Sequence, residues 1–140
     1  MAKSNMDQDI LKVLFSEQKI HDRIQEMGNQ LYDEFHDRNP LFVGVLNGCF
    51  LFMADLVRAT RCKSEVEFIG LSSFQNATKS SGVVQITRDL QRDISGRDII
   101  VVEDILDSGN TLYFLKDYML AKGANSITIV TLLDLSLIHI

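Results

Sequence analysis

The sequence predicts an α/β fold, a mainly parallel sheet flanked by helices on both faces, with one long hairpin attached. Three observations carry this reading. Short continuous apolar runs, LFVGVL at 41–46, DIIVVED at 98–104 and NSITIVTLLD at 125–134, have the form of strands covered on both sides. Segments with apolar residues at helical spacing alternate with them, the pattern of a parallel sheet with crossover helices. Two further runs, EVEFIGL (65–71) and GVVQITRDL (82–90), enclose the polar stretch SSFQNATKSS and read as a long hairpin with a flexible tip.

The first element is a helix from Glu17 to His36. Ile20, Ile24, Met27, Leu31, Tyr32 and Phe35 share one face, Ser16 is placed to cap the start, and Pro40 lies beyond the end. The strand at 41–46 follows, broken by Asn47 and Gly48, and a second helical pattern runs from Phe50 to Arg58. After the hairpin, Ser95-Gly96 turns the chain into DIIVVED. The small polar loop DSGNT (107–111) leads into TLYFLKDYMLAKGA, a helix that Gly123 ends, and 125–134 supply the last buried strand.

Composition narrows the function. With 140 residues, 46% hydrophobic and 24% charged, the chain fits one domain able to bury a core. The start, MAKSNMDQDILK, lacks the apolar run of a signal peptide, and no segment reaches the ~20 apolar residues of a membrane helix, so a soluble protein without a membrane partner is expected. Cys49 and Cys62 are too few for a disulfide framework and suit a reducing cytoplasm. His21, His36 and His139 are too dispersed to suggest a metal site. The net charge is -5 and the 14 Lys and Arg are scattered, so a nucleic-acid partner is not expected. An anionic ligand must be met locally, by N–H groups at a helix start or by a divalent cation shared with carboxylates.

The stretch IIVVEDILDSGNT (99–111) is where such a ligand can be met. A buried parallel strand that ends on Glu103 and Asp104 delivers two acids to the sheet edge where such folds bind ligands. Carboxylates accept hydrogen bonds and suit hard cations such as Mg²⁺. Asp107-Ser108-Gly109-Asn110-Thr111 then combines a permissive glycine, two hydroxyls and the first amides of a helix, the parts of a cradle for a terminal phosphate. Each half alone is commonplace, since acids follow many strands and Asp-Ser-Gly-Asn is ordinary turn chemistry. Their conjunction is what favours a sugar phosphate. The loop lacks the Lys of a P-loop and is not G-x-G-x-x-G, which disfavours a nucleoside triphosphatase or a dinucleotide enzyme.

The same residues resemble the phosphoribosyl pyrophosphate motif of the type I phosphoribosyltransferases. The Glu-Asp order at 103–104 and the acid at 107 look like the hypoxanthine-guanine branch, whereas adenine and orotate enzymes usually carry Asp-Asp or a small residue there. VGVLNGCFLFMADLVR (43–58) resembles the family's pyrophosphate loop and following helix, and FIGLSSF with its polar sequel its flexible hood hairpin. The resemblance implies purine salvage: pyrophosphate on C1 of phosphoribosyl pyrophosphate is displaced by hypoxanthine or guanine, giving IMP or GMP. Residue by residue, it implies that Glu103 and Asp104 hold the ribose hydroxyls and Mg²⁺, and that Asp107 is the proton acceptor near N7 of the purine. A carboxylate with an ordinary pKa near ~4 becomes a better base in a closed, dry site. Ser108, Gly109, Asn110 and Thr111 would cradle the 5′-phosphate. Asn47 and Gly48 would bind pyrophosphate after a cis peptide at Leu46–Asn47, mainly through backbone N–H groups because many relatives have Lys at the position of Asn47. Ser73 would belong to the hood, beside Phe74 where Tyr is usual. Relatives are homo-oligomers, dimers or tetramers.

The end of the chain departs from the family. After ITIVTLLD, relatives continue with a Lys that reads the purine and with further elements that stack on the base and help hold Mg²⁺; here Leu135 stands in place of the Lys and LSLIHI follows. The expectation is a phosphoribosyltransferase domain over 1–134, incomplete at its C-terminus, with a non-native tail over 135–140, exposed apolar surface and little transferase activity. LSLIHI resembles the translation of a sequencing-library transposon end. Two other classes fit less of the pattern. One is a non-catalytic nucleotide sensor of the same fold, which as an RNA-binding regulator would need a basic face. The other is an unrelated flavodoxin-like domain that binds Mg²⁺ alone.

Overall fold

A computed structural model of the protein describes residues 16–76, 79–106 and 109–134. The elements are α1 (Glu17–Phe35), β1 (Leu41–Leu46), α2 (Phe50–Thr60), β2 (Glu65–Asn76), β3 (Lys79–Arg88), β4 (Asp98–Leu106), α3 (Asn110–Ala121) and β5 (Ser126–Asp134). They build a five-stranded sheet in the order β3-β2-β1-β4-β5. β1 lies parallel to β2 and β4, β5 parallel to β4, and β3 antiparallel to β2. The α/β, mainly parallel fold expected from the sequence is the one observed.

Side-chain alternation along the central strands feeds two cores. Phe42, Ile100 and Val102 face α1 and α2, joined by Ile24, Met27, Leu31, Phe35, Phe52, Met53 and Leu56. Leu41, Val43, Val45, Ile99 and Val101 face the other way, onto Leu112, Leu115 and Met119 of α3. β1 and residues 99–102 of β4 therefore carry no polar side chain, because both of their faces are covered. α1 starts where Ser16 predicts, its Oγ accepting from the Lys19 amide at 3.1 Å. It ends at His36, whose Nδ1 lies 2.9 Å from the Tyr32 carbonyl. α1 and α2 touch at Gly28, where an added Cβ would sit 2.6 Å from the Ala59 Cβ and 2.7 Å from its carbonyl carbon.

Charges lock the amino ends of the strands. Glu67 is 7% exposed and accepts from the Gln91 amide, while Arg92 Nε lies 2.9 Å from its Oε2. Arg92 also pairs with Glu65, and Arg97 bridges Glu65 at 2.8 Å and the Asn39 carbonyl at 3.0 Å. The connection from β3 to β4 is thereby tied to β2 by ion pairs, in addition to Ile94, which it buries in the core on the α3 side.

Several boundaries differ from those read in the sequence. α2 runs to Thr60, two residues past Arg58, and closes with Arg61 in the left-handed region at φ 56°. The polar stretch after EVEFIGL is mostly strand: β2 continues to Asn76 and β3 begins at Lys79, with bulges at Gly70/Leu71 and Phe74/Asn76. Antiparallel pairing satisfies backbone groups whatever the side chains, so small polar residues extend a hairpin that their composition does not announce. Ala77 and Thr78, the tip, lie outside the described residues. β4 does not stop at Asp104 but continues to Leu106, because β5 pairs along it as far as Leu106↔Asp134. Among the described residues no helix is long and apolar enough to cross a membrane.

Two stability measurements check this account. Gly28→Ala should lower the unfolding free energy by about 1–3 kcal/mol, the usual cost of overpacking, read as a lower denaturant midpoint at constant m. Arg92→Ala leaves Glu67 buried without its ion-pair partner and should cost about 2 kcal/mol by the same assay, whereas Arg23→Ala, in the exposed pair with Glu26, should change almost nothing.

Candidate functional site

The topology marks one place where a ligand can enter. From β1 the chain crosses through α2 to β2 on one side; from β4 it crosses through α3 to β5 on the other. The two loops that follow neighbouring strands thus leave in opposite directions, and α2 and α3 lie on opposite faces of the sheet. A crevice at the carboxyl ends of such strands is the general ligand site of open α/β sheets. The crevice opens where the β1–β4 pairing ends, at Gly44↔Val102. Beyond that point β1 carries Val45 and Leu46 into a cis peptide at Leu46–Asn47, and β4 carries Glu103 and Asp104 along an edge that β1 no longer covers.

That open edge explains how consecutive acids come together. Alternation puts Asp104 on the α2 side, and its two carboxylate oxygens lie 2.8 Å from where a Cβ on Gly48 would be. Glu103 starts toward the α3 side but reaches round the edge into hydrogen-bond contact with Asp104. Burial, reinforced by the neighbouring Asp104 carboxylate, pushes the Glu103 carboxyl up from 4.5 to about 7. Asp104 Oδ1 also accepts the Ile105 amide at 2.9 Å. Beneath the pair, Cys49 is fully buried, and its thiol is raised to about 11 by burial and then by the two acids. Cys49 is the small packed residue anticipated, and it forms the floor of the site.

The helices that begin at the crevice share a second property. α1, remote from it, has a Ser cap and Glu17 in its first turn; α2 and α3 start at Cys49 and Gly109 with no side-chain cap and no acid in the first turn. Helix starts of this kind offer amide donors and a positive dipole end to an anion. Gly109 is buried at φ 79°, a conformation that glycine adopts without strain, and places Asn110 and Thr111 at the head of α3.

Of the residues singled out in the sequence, Gly48 and Asp104 are brought against each other and Glu103 lies against Asp104, while Asn47 adjoins Gly48 and Gly109, Asn110 and Thr111 stand at the head of α3. Asp107 and Ser108 lie outside the described residues. Ser73 is in β2, paired with Val84; its side chain is also outside the description. Gly44 was not singled out. A Cβ there would meet the Cys49 Sγ at 2.9 Å and the Phe68 ring at 3.0 Å, so the glycine makes room for the floor. A glycine inside the run LFVGVL is the signal of such close approach. No group of three acidic, His or Cys side chains that could hold a metal occurs among the described residues.

The Glu103 shift has a definite sign. A carboxyl held near 7 in the folded protein keeps a proton that the unfolded chain has released above 4.5, so its stabilising contribution is complete below 4.5 and is lost as pH rises to 7. Unfolding midpoints of the wild type should therefore decline relative to Glu103→Gln across that window and run parallel above it.

Comparison with known proteins identifies the family and the fold. A family model described as the phosphoribosyl transferase domain matches residues 12–136. The chain is 46% identical over 129 residues to a hypoxanthine-guanine phosphoribosyltransferase of Bacillus subtilis, covering 92% of this chain and 72% of that protein. It is also 46% identical over 133 residues to a bifunctional protein TilS/HprT of Listeria monocytogenes, covering 95% of this chain but spanning only 20% of that longer protein. Among solved structures, a hypoxanthine phosphoribosyltransferase from Staphylococcus aureus superimposes with a TM-score of 0.90 at 35% identity, covering 96% of this chain and 73% of that one. With a family model that spans most of the chain and hypoxanthine-guanine relatives covered over more than two thirds of their length, the chain belongs to the phosphoribosyl transferase domain family, in its hypoxanthine-guanine branch.

Proposed function

We propose that the protein acts in purine salvage, binding phosphoribosyl pyrophosphate at the β1/β4 crevice for transfer of its phosphoribosyl group to hypoxanthine or guanine. The observation that carries this reading is the meeting of Asp104 with Gly48, which brings an acid of β4 against the loop that follows β1. Glu103 and Asp104 would accept the ribose hydroxyls, Asn47 and Gly48 would present backbone N–H groups to pyrophosphate, and Ser108 to Thr111 would hold the 5′-phosphate. Ser73 would close from the β2–β3 hairpin.

The donor set fits Mg²⁺. Two adjacent carboxylates at the end of a strand suit a hard cation that keeps several waters and is completed by its ligand. Glu103 and Asp104 would hold it, and when bound it supplies charge stabilisation to the pyrophosphate leaving group. In the reaction a purine ring nitrogen forms a bond to C1 of the ribose as the C1–O bond to pyrophosphate breaks, with the electron pair leaving on pyrophosphate. Asp107 would take the proton released at the purine. Leu135 stands where the family resemblance implies a purine-reading Lys, so phosphoribosyl pyrophosphate binding is expected to be stronger than transfer in this chain. A homo-oligomer is supported by apolar surface at the start of α2, where Phe50 is 63% and Leu51 72% exposed. Two free cysteines suit the cytoplasm.

Calorimetry with phosphoribosyl pyrophosphate and Mg²⁺ should give binding heat that Asp104→Asn lowers by about tenfold in affinity or more. Gly48→Ala should weaken binding comparably while costing about 1 kcal/mol or less in stability, since the new methyl displaces the Asp104 carboxylate rather than backbone. A folded protein that gives no heat would overturn the reading.

A further inference from the structure

α3 carries the proposed phosphate cradle at one end and an unexplained polar contact near the other. The Tyr118 hydroxyl donates toward the Asp89 carboxylate, 2.7 Å from each of its oxygens. Asp89 directly follows β3, the second strand of the hairpin, and its Oδ1 accepts the Leu90 amide at 2.7 Å. Lys122 closes the group, its Nζ 3.9 Å from Asp89 and 4.9 Å from the centre of the Tyr118 ring. Hydrogen bonding from Tyr118, opposed by partial burial and helped by the Leu90 amide and Lys122, holds the Asp89 carboxyl below its usual range. The contact is one between partners of matched polarity.

Its position gives it leverage. Leu112, Leu115 and Met119 bury one stripe of α3 against the sheet, and a polar contact to one side of that stripe adds a directional constraint on the rotation of the helix. Phe114 and Tyr118 form a neighbouring stripe, rings stacked 5.9 Å apart, and like Ile86 and Leu90 they pack against the edge of the same core. Tyr118 is two turns from Asn110, so at ~1.5 Å rise per residue it acts about 12 Å from the cradle along a stiff helix.

We propose that Tyr118 and Asp89 are positioning residues: their bond sets the rotation of α3 against the foot of the β2–β3 hairpin and thereby aims the Gly109–Thr111 backbone at the ligand's 5′-phosphate. The inference rests on the phosphoribosyl reading above. Neither residue touches the ligand. Loss of the hydroxyl misaligns the cradle while leaving the pyrophosphate loop, held by β1 and α2, in place.

The test compares Tyr118→Phe, Asp89→Asn and the double variant with the wild type, using ribose 5-phosphate and magnesium pyrophosphate as separate probes. The expected result is a roughly tenfold loss of ribose 5-phosphate affinity in each single variant, no further loss in the double variant, and unchanged pyrophosphate affinity. Amide exchange in the first turn of α3 should accelerate in ligand-free Tyr118→Phe. Equal loss of both ligands, or loss of neither, with exchange unchanged, overturns the proposal. If the wild type binds neither probe the phosphoribosyl reading fails, and exchange at the head of α3 alone decides whether the bond orients the helix.

Discussion

Everything in this molecule that can meet a ligand depends on where β1 and β4 stop pairing. Two strands that stay hydrogen-bonded through Gly44 and Val102 and then part create a wedge at the sheet edge with backbone on both sides. Into that wedge one strand delivers two acids and the other a glycine loop. Had β1 continued beside β4, Glu103 and Asp104 would project to opposite faces and could not act on one group. The separation is enforced by the connections: α2 and α3 depart to opposite faces, and each pulls its loop away from the other.

Electrostatics at the wedge are unbalanced without a ligand. A carboxyl pushed to about 7 beside a second carboxylate, over a buried thiol, is a place where negative charge has been concentrated. Two helix starts with no cap and no acid stand on either side with the opposite bias. The arrangement suits a ligand that is itself divided, hydroxyls and a cation toward the acids and phosphates toward the helix starts. A simple anion would meet the carboxylates and be repelled. A bare cation would make no use of the positive dipole ends of the two helices.

The opposite end of the sheet is organised for permanence. Glu67, Arg92, Glu65 and Arg97 form a chain of ion pairs that ties the β3–β4 connection to β2, and Asp98 is held by Asn125 at 2.8 Å and Ser126 at 2.6 Å. Buried charges are costly unless every one is paired. Their place away from the crevice lets the amino ends of the strands remain fixed while the carboxyl ends stay open to a ligand. Two apolar cores, one on each face, join the two ends.

The sequence by itself determined the periodic elements and their order: the amphipathic stripe of α1, the capping Ser16, the doubly buried strands β1 and β4, and Glu103 and Asp104 followed by a glycine loop; β5, also read as a buried strand, is half-buried in its described side chains except at Val130, because at the sheet edge it has a neighbour on one side only. These are legible because apolar spacing and turn chemistry act over a few residues. The tertiary structure decided what depends on partners distant in the chain. β4 passes its acids because β5 pairs beyond them; the polar hairpin is strand to within two residues of its tip because antiparallel backbone bonds ignore side-chain polarity. Gly44 matters because Cys49 and Phe68 press on it from loops and strands elsewhere, and Gly48 because Asp104, 56 positions on, needs its missing Cβ. Local pattern records which residues a strand contains; only pairing and packing record where it ends and what it faces.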